Sequence, residues 1–130
     1  MLYSTSPMLS NTALLIGFIP GLLGIAGNIS PGIVLTAFEF KLPTAPYDAK
    51  LVTNFIRLMM ARDVYLGGMT LFAWYNGDRR TLGMSMLLGA GVVLMDGLVN
   101  RMQIGRGEWK HWPFVPVMAG VGAGLLGWLD

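Results

Sequence analysis

This chain of 130 residues contains no cysteine and little charge. The missing cysteine excludes a disulfide framework, a thiolate nucleophile and any cysteine-based metal site, and it argues against thiol or quinone redox chemistry. Charged residues make up 12% of the chain, where a soluble domain carries about 25%. With 54% hydrophobic residues, too little polar surface remains for a soluble monomer. Histidine occurs once, at His111. No His, Asp and Glu spacing matches a zinc or di-iron site, so no metal and no cofactor is expected. No glycine follows a strand pattern, which removes phosphate loops and dinucleotide fingerprints. Ser85 has no histidine near it in sequence, so a serine nucleophile has no support. The net charge of +2 comes from basic residues scattered between apolar runs, and nucleic acid is not an expected partner.

Glycine (18) and methionine (10) are abundant instead. Glycine lets membrane helices approach closely, and methionine fills irregular apolar gaps. Most of these residues read as packing material. The alternative is a pliable pocket lined by Met59, Met60, Met69, Met84, Met86 and Met95.

Four apolar segments succeed one another, at about 12–29, 51–75, 81–99 and 111–129. At roughly 20 residues per span they predict one all-α domain over residues 1–130, an integral membrane four-helix bundle. The first eleven residues are polar but lack Lys and Arg. A cleaved signal peptide is therefore not expected, although Ala26-Gly27 could end one. Pro20 should kink the first span by removing a backbone donor. Gly17, Gly21, Gly24 and Gly27 offer it a close-packing face, and Ser30-Pro31-Gly32 should end or bend it. Pro43 and Pro46 forbid a regular helix through the connection Glu39–Lys50. In the fourth segment, Gly120, Gly124 and Gly127 form a second small-residue face. Trp109 and Trp112 at one end and Trp128 at the other suit an aromatic belt at both interfaces.

Loops one and three hold Lys41, Lys50, Arg101, Arg106 and Lys110, whereas the opposite side has only Arg79 and Arg80. The positive-inside rule places loops one and three in the cytosol and both termini outside or in the lumen, as in a multi-pass protein of the endoplasmic reticulum.

Spans two and three form a hairpin about Asn76-Gly77-Asp78-Arg79-Arg80, and inside it sit Arg62, Asp63 and Asp96. Ionisable groups within a lipid-embedded segment are costly and mark a candidate site. Arg62 lies 16 residues before Asp78 and Asp96 lies 18 after it, so their depths differ by only about 3 Å at helical rise. Asp96 is the expected counter-ion of Arg62. Asp63 points about 100° away around the helix and faces the interior only if another span covers that side. One arginine with two acids leaves an acid without a dedicated partner, suited by burial to proton transfer. Asn54 and Tyr65 share a face of span two. Asn100 lies one turn beyond Asp96 and reads either as a vestibule residue or as an ordinary helix end. Asn54, Tyr65 and Asn100 are the expected substrate contacts.

At Arg62-Asp63-Val64-Tyr65-Leu66-Gly67, Gly77-Asp78-Arg79-Arg80 and Asp96-Gly97 the chain resembles a family of small four-span integral membrane proteins, common in fungi and of unknown function. The family pattern is an Arg-Asp pair followed by Gly in span two, a short turn with Arg, and an Asp late in span three. Such families often accompany natural-product pathways, and the resemblance implies a lipophilic small molecule as ligand.

The first functional expectation is a membrane-embedded, cofactor-independent isomerase or cyclase, including a pericyclase such as a Diels–Alderase. Arg62 would donate to a substrate carbonyl, Asp96 would hold Arg62, and Asp63 would act as acid or base. The second is a non-catalytic assembly or scaffold subunit in which Arg62–Asp96 is a structural ion pair. A third is a carrier, which would require an oligomer. Membrane lipid is an expected partner, and the glycine faces favour a homo-oligomer.

Overall fold

The computed structural model describes residues 3–130. Among these the chain is all α. A 3-10 turn at Tyr3–Thr5 precedes α1 (Pro7–Ile29), α2 (Pro31–Phe38), α3 (Pro46–Tyr75) and α4 (Arg79–Ile104). A second 3-10 turn, Glu108–Lys110, leads to α5 (Phe114–Leu125).

Proline begins three of these helices and breaks none. Pro7, Pro31 and Pro46 occupy first-turn positions, where the missing N–H would have no helical partner in any case. Thus α3 starts at Pro46, inside the connection expected to be irregular. Helix α1 continues through Pro20 without interruption and stops at Ser30, whose φ and ψ of −130° and 83° leave the helical region. Helix α4 starts two residues earlier than Thr81 because Asp78 caps it: Asp78 Oδ1 accepts from the Thr81 amide at 2.9 Å. It runs five residues past Val99 and ends on Gly105, whose φ of 73° is the left-handed stop that glycine adopts most readily.

The fourth apolar segment is not a helix over 111–129. Only twelve residues, Phe114–Leu125, are helical, about 18 Å of rise. Trp112 consequently lies off the helix: its Nε1 donates to the Leu94 carbonyl at 3.3 Å and its ring lies against Gly97. Trp109 and Trp128 are exposed. Of the four expected spans, two among the described residues, α1 and α4, are long and apolar enough to cross a membrane. Helix α3 has the length, but Arg62 and Asp63 interrupt its apolar half.

The principal partnerships are α1 with α3 and α4 with α5. Helices α3 and α4, joined by the tight turn, touch less than either touches that other partner. Absence of side chains makes the α1–α3 contact possible. A Cβ on Gly21 would lie 3.0 Å from the Gly67 Cα, and one on Gly24 would lie 2.7 Å from the Met60 carbonyl oxygen. Gly17 faces Thr70, and Gly27 faces Met60 and Val34. The predicted glycine face of α1 is therefore occupied within the chain. On α5 the close approach is made by Gly122, against the Gly83 carbonyl oxygen at 2.9 Å from its added Cβ. Gly120, expected on that face, meets nothing within 4 Å.

The interior mixes alanine with a few larger apolar residues. Ala13, Ala73, Ala90, Leu82, Met86, Met118, Leu9 and Leu125 form the main apolar cluster, and Val34, Ile56 and Met60 a second. Many other large side chains turn outward, among them Phe18, Leu23, Ile29, Phe55, Leu58, Phe72 and Leu88. Met69, Met84 and Met95 are also exposed while Met60 and Met86 are buried, so the methionines do not converge on one pocket. The accessible surface is 8101 Å², where a compact soluble monomer of 14.1 kDa presents roughly 6700 Å².

The glycine contacts predict a sharp positional contrast. Gly24→Leu should destabilise by about 2–3 kcal/mol through overpacking against backbone. Gly68→Ala and Gly91→Ala, where an added Cβ meets nothing within 4 Å, should be neutral or stabilising by up to about 1 kcal/mol. Thermal unfolding of the purified variants measures both.

Candidate functional site

The α3–α4 pair carries the polar cluster that the hairpin count anticipates. Arg62 Nη1 and Nη2 donate to Asp96 Oδ1 and Oδ2 at 3.0 and 2.9 Å, an end-on pair between two helices. Arg62 Nε donates to Asp63 Oδ1 at 2.9 Å, and Nη2 lies at the same distance from that oxygen. All three guanidinium nitrogens are thus engaged with carboxylates. The expectation of an acid without a dedicated partner is corrected: the side chain of Asp63 folds onto the same guanidinium as Asp96. The planar five-donor fork of arginine explains why one cation can serve two acids.

Asp63 falls on the α1 side of α3, three residues after Met60 and four before Gly67, both of which contact α1. Its carbonyl oxygen would lie 3.6 Å from a Cβ on Gly21. Close approach of α1 is therefore what covers that side. Beside Asp96, Gly97 leaves room for the Trp112 indole, which brings the entry to α5 against the cluster. The side chains are only partly shielded: Arg62 is 33% exposed, Asp63 16% and Asp96 15%. With both acids ionised the group carries one net negative charge.

The other expected contacts do not join it. Asn54 is exposed on α3. Tyr65 is 75% exposed and lines a separate cleft of about 360 Å³ with Ile25, Asn28, Ile29, Ala61 and Val64. Asn100 is fully buried, its amide against Gly107 and without a hydrogen-bond partner, so it lines no open vestibule. A second cleft, of about 270 Å³, lies at the opposite end between Ser10, Asn11, Trp74, Gly77 and Arg79. Neither cleft includes Arg62, Asp63 or Asp96. No group of three or more metal-ligating His, Cys, Asp or Glu occurs among the described residues.

Sequence reasoning missed two polar groups because their members come from separate elements. Glu39 accepts from Arg106 at 2.7 Å and Lys110 at 2.5 Å, and Lys110 also donates to the Ala37 carbonyl. These bonds hold loops one and three at the same end of the molecule. Glu108 is buried and pairs through Oε1 with Arg101 at 3.1 Å. At the other end Asp130 accepts from the Ser4 amide, Arg79 donates to the Ser4 and Ser6 carbonyls, and Trp74 donates to Asn11. Ser4, Ser6 and Asp130 thus sit beside the 76–80 turn, as an up-down arrangement requires.

The family described as Domain of unknown function (DUF4267) matches residues 17–125, and this chain belongs to it. No curated protein matches the chain, and no solved structure does.

The cluster predicts unequal roles for its two acids. Asp96→Asn cuts the only charge pair joining α3 to α4 among the described residues and should cost about 2 kcal/mol. That figure lies below the range for fully buried pairs because Arg62 is a third exposed. Asp63→Asn leaves a neutral Arg62–Asp96 pair and should cost less than about 1 kcal/mol. Equal losses in thermal unfolding would contradict this assignment.

Glu39 gives a pH dependence. Hydrogen bonds first from Lys110 and then from Arg106 hold its carboxyl below the ordinary 4.5. The ionised form is favoured on folding, so this stabilisation is complete above the ordinary value and disappears as pH falls through the lowered one. Glu39→Gln should flatten the acid limb of the stability–pH curve while leaving its slope above pH ~6 unchanged.

Proposed function

We propose that this DUF4267-family chain is an integral membrane protein of the endoplasmic reticulum or a related endomembrane, working as a non-catalytic assembly or scaffold subunit. One observation carries the membrane reading: large apolar side chains such as Leu23, Ile29, Phe55, Leu58 and Phe72 face outward along helices of which α1 and α4 are long and apolar enough to cross a bilayer, while glycines make the closest helix contacts. A soluble fold buries large apolar residues, because their removal from water drives folding. A bundle in lipid gains nothing by hiding them and associates instead through close small-residue contacts. Helices α1, α3 and α4 cross the bilayer, and the shorter α5 with its flanking turns completes a fourth crossing, since Asp130 bonds Ser4 at the end opposite Lys110. The basic end around Lys41, Lys50, Arg101, Arg106 and Lys110 faces the cytosol.

The Arg62 cluster sets the register of α3 against α4. Its guanidinium nitrogens are all taken by protein carboxylates, and no cleft described above reaches it. Such a group specifies geometry better than it adds stability. Close contact with further copies or partner spans falls to the open glycines Gly68, Gly91 and Gly120.

A second reading keeps the site chemical: a cofactor-independent isomerase or cyclase, pericyclases included, acting on a lipophilic intermediate. The surplus carboxylate and the exposed third of Arg62 favour it. In this reading Asp63 serves as the acid or base, and Arg62 orients the acids rather than binding a carbonyl.

Cysteine-free sequence makes the test direct. Lys41→Cys and Gln103→Cys should react with an impermeant maleimide in intact cytosol-out microsomes, and Asn76→Cys should be protected. The chain should remain in the pellet after alkaline carbonate; release into the supernatant ends the membrane reading. Folded, membrane-resident Asp63→Asn protein should still support the host function, and its loss would transfer the case to the second reading.

A further inference from the structure

We propose that the cleft beside Arg79 binds a phosphate group, that of an anionic glycerophospholipid headgroup. This inference rests on the membrane reading for its source of ligand but not for its chemistry. The cleft measures about 270 Å³ and is bounded by Pro7, Ser10 and Asn11 of α1, Ala73 and Trp74 of α3, Gly77 of the turn, and Arg79 and Leu82 of α4. It combines one cation, a hydroxyl, an amide and an indole in a concavity of headgroup size.

The state of Arg79 is the central observation. Its Nη1 donates to the Ser4 carbonyl at 2.6 Å and to the Ser6 carbonyl at 3.1 Å. These bonds anchor the side chain by neutral acceptors rather than by a carboxylate. No carboxylate among the described residues forms an ion pair with it. The two acids at this end are committed elsewhere. Asp78 takes the amide and hydroxyl of Thr81, and Asp130 takes the amide and hydroxyl of Ser4. Among the described residues the Nε–Nη2 edge of Arg79 carries no hydrogen-bond partner, and this edge is the fork that binds phosphate oxygens in a bidentate manner.

Two neighbours complete the recognition. Ser10 lines the cleft and is half-buried, and its hydroxyl is a donor suited to a phosphate oxygen. Trp74 is fixed by its Nε1 bond to Asn11 at 3.1 Å, which presents the ring as an apolar wall for the glycerol. The cleft lies where the 76–80 turn meets Ser4, Ser6 and Asp130, the level of the headgroups if α1 and α4 cross the bilayer. Tryptophan and arginine at that level are the usual partners of the lipid–water boundary.

The test uses the full chain in detergent, with thermal unfolding read against added phosphatidic acid, phosphatidylglycerol, phosphatidylcholine or inorganic phosphate. The anionic lipids should raise the unfolding temperature well beyond phosphatidylcholine, with an apparent affinity at least tenfold greater. Arg79→Gln should abolish that difference. Because this variant also loosens the Ser4 and Ser6 contacts, Ser10→Phe provides a second arm: it fills the cleft without removing a bond described here, and should abolish the difference too. Arg80→Gln, outside the cleft lining, should retain it. Stabilisation by inorganic phosphate alone, sensitive to both cleft variants, would support the phosphate chemistry while assigning the source to a free anion. Equal responses to anionic and zwitterionic lipid, or a lipid effect that survives both cleft variants, would overturn the proposal. Release of the chain by carbonate while phosphate still acts through Arg79 would defeat the membrane reading and leave this site standing.

Discussion

The structure depends on how closely α1 can approach α3. At Gly21 and Gly67 the two backbones meet with no side chain between them, and Gly24 lies against the Met60 carbonyl in the same manner. Such contact removes the volume that a leucine-rich core would occupy. Many large side chains then point away from the seam, as the exposed Phe, Leu, Ile and Met show, while Met60, Val34 and Thr70 pack against the α1 glycines. Gly83 and Gly122 repeat the arrangement between α4 and α5. Dispersion between tightly apposed backbones adds to the burial of Leu82, Met86, Ile56 and Met60 in holding these helices together.

Against this background the Arg62 cluster is a directional element in a non-directional interface. Small-residue contacts permit sliding and rotation, since one glycine resembles the next. A guanidinium shared by Asp63 on its own helix and Asp96 on the neighbour does not permit either. The weaker apolar contact between α3 and α4 makes this fixed point more important, because few side chains there interdigitate. Polar ties at both ends repeat the principle: ion pairs of Glu39 join loops one and three, and hydrogen bonds among Ser4, Asp130 and Arg79 gather the chain ends at the turn. The seams are held by glycine, and the ends and the register by polar contacts.

Part of the candidate site was legible because it obeys a one-dimensional rule. Counting from Asp78 places Arg62 and Asp96 at one depth, and a helical hairpin converts that count into a bidentate pair. Asp63 was harder. Residue spacing puts it on another face, but a carboxylate beside a long arginine reaches the guanidinium by side-chain rotation, which no helical wheel represents. The substrate contacts failed to gather for a related reason: Asn54 and Tyr65 are exposed on α3, and Asn100 is buried against Gly107. The fourth segment was overextended because its apolar composition continues past Leu125, whereas Gly127 turns with a φ of 76°.

The amino-acid order by itself determined the helical class, the glycine face of α1, the turn at 76–80 and the matched depth of Arg62 and Asp96. All of these follow from periodicity or counting along one element. Tertiary structure alone decided which helix covers that glycine face, that Asp63 shares the arginine, and that Arg79 reaches a cleft made by three elements. These outcomes depend on contacts between residues distant in the chain, where chain-order periodicity carries no information about distance in space.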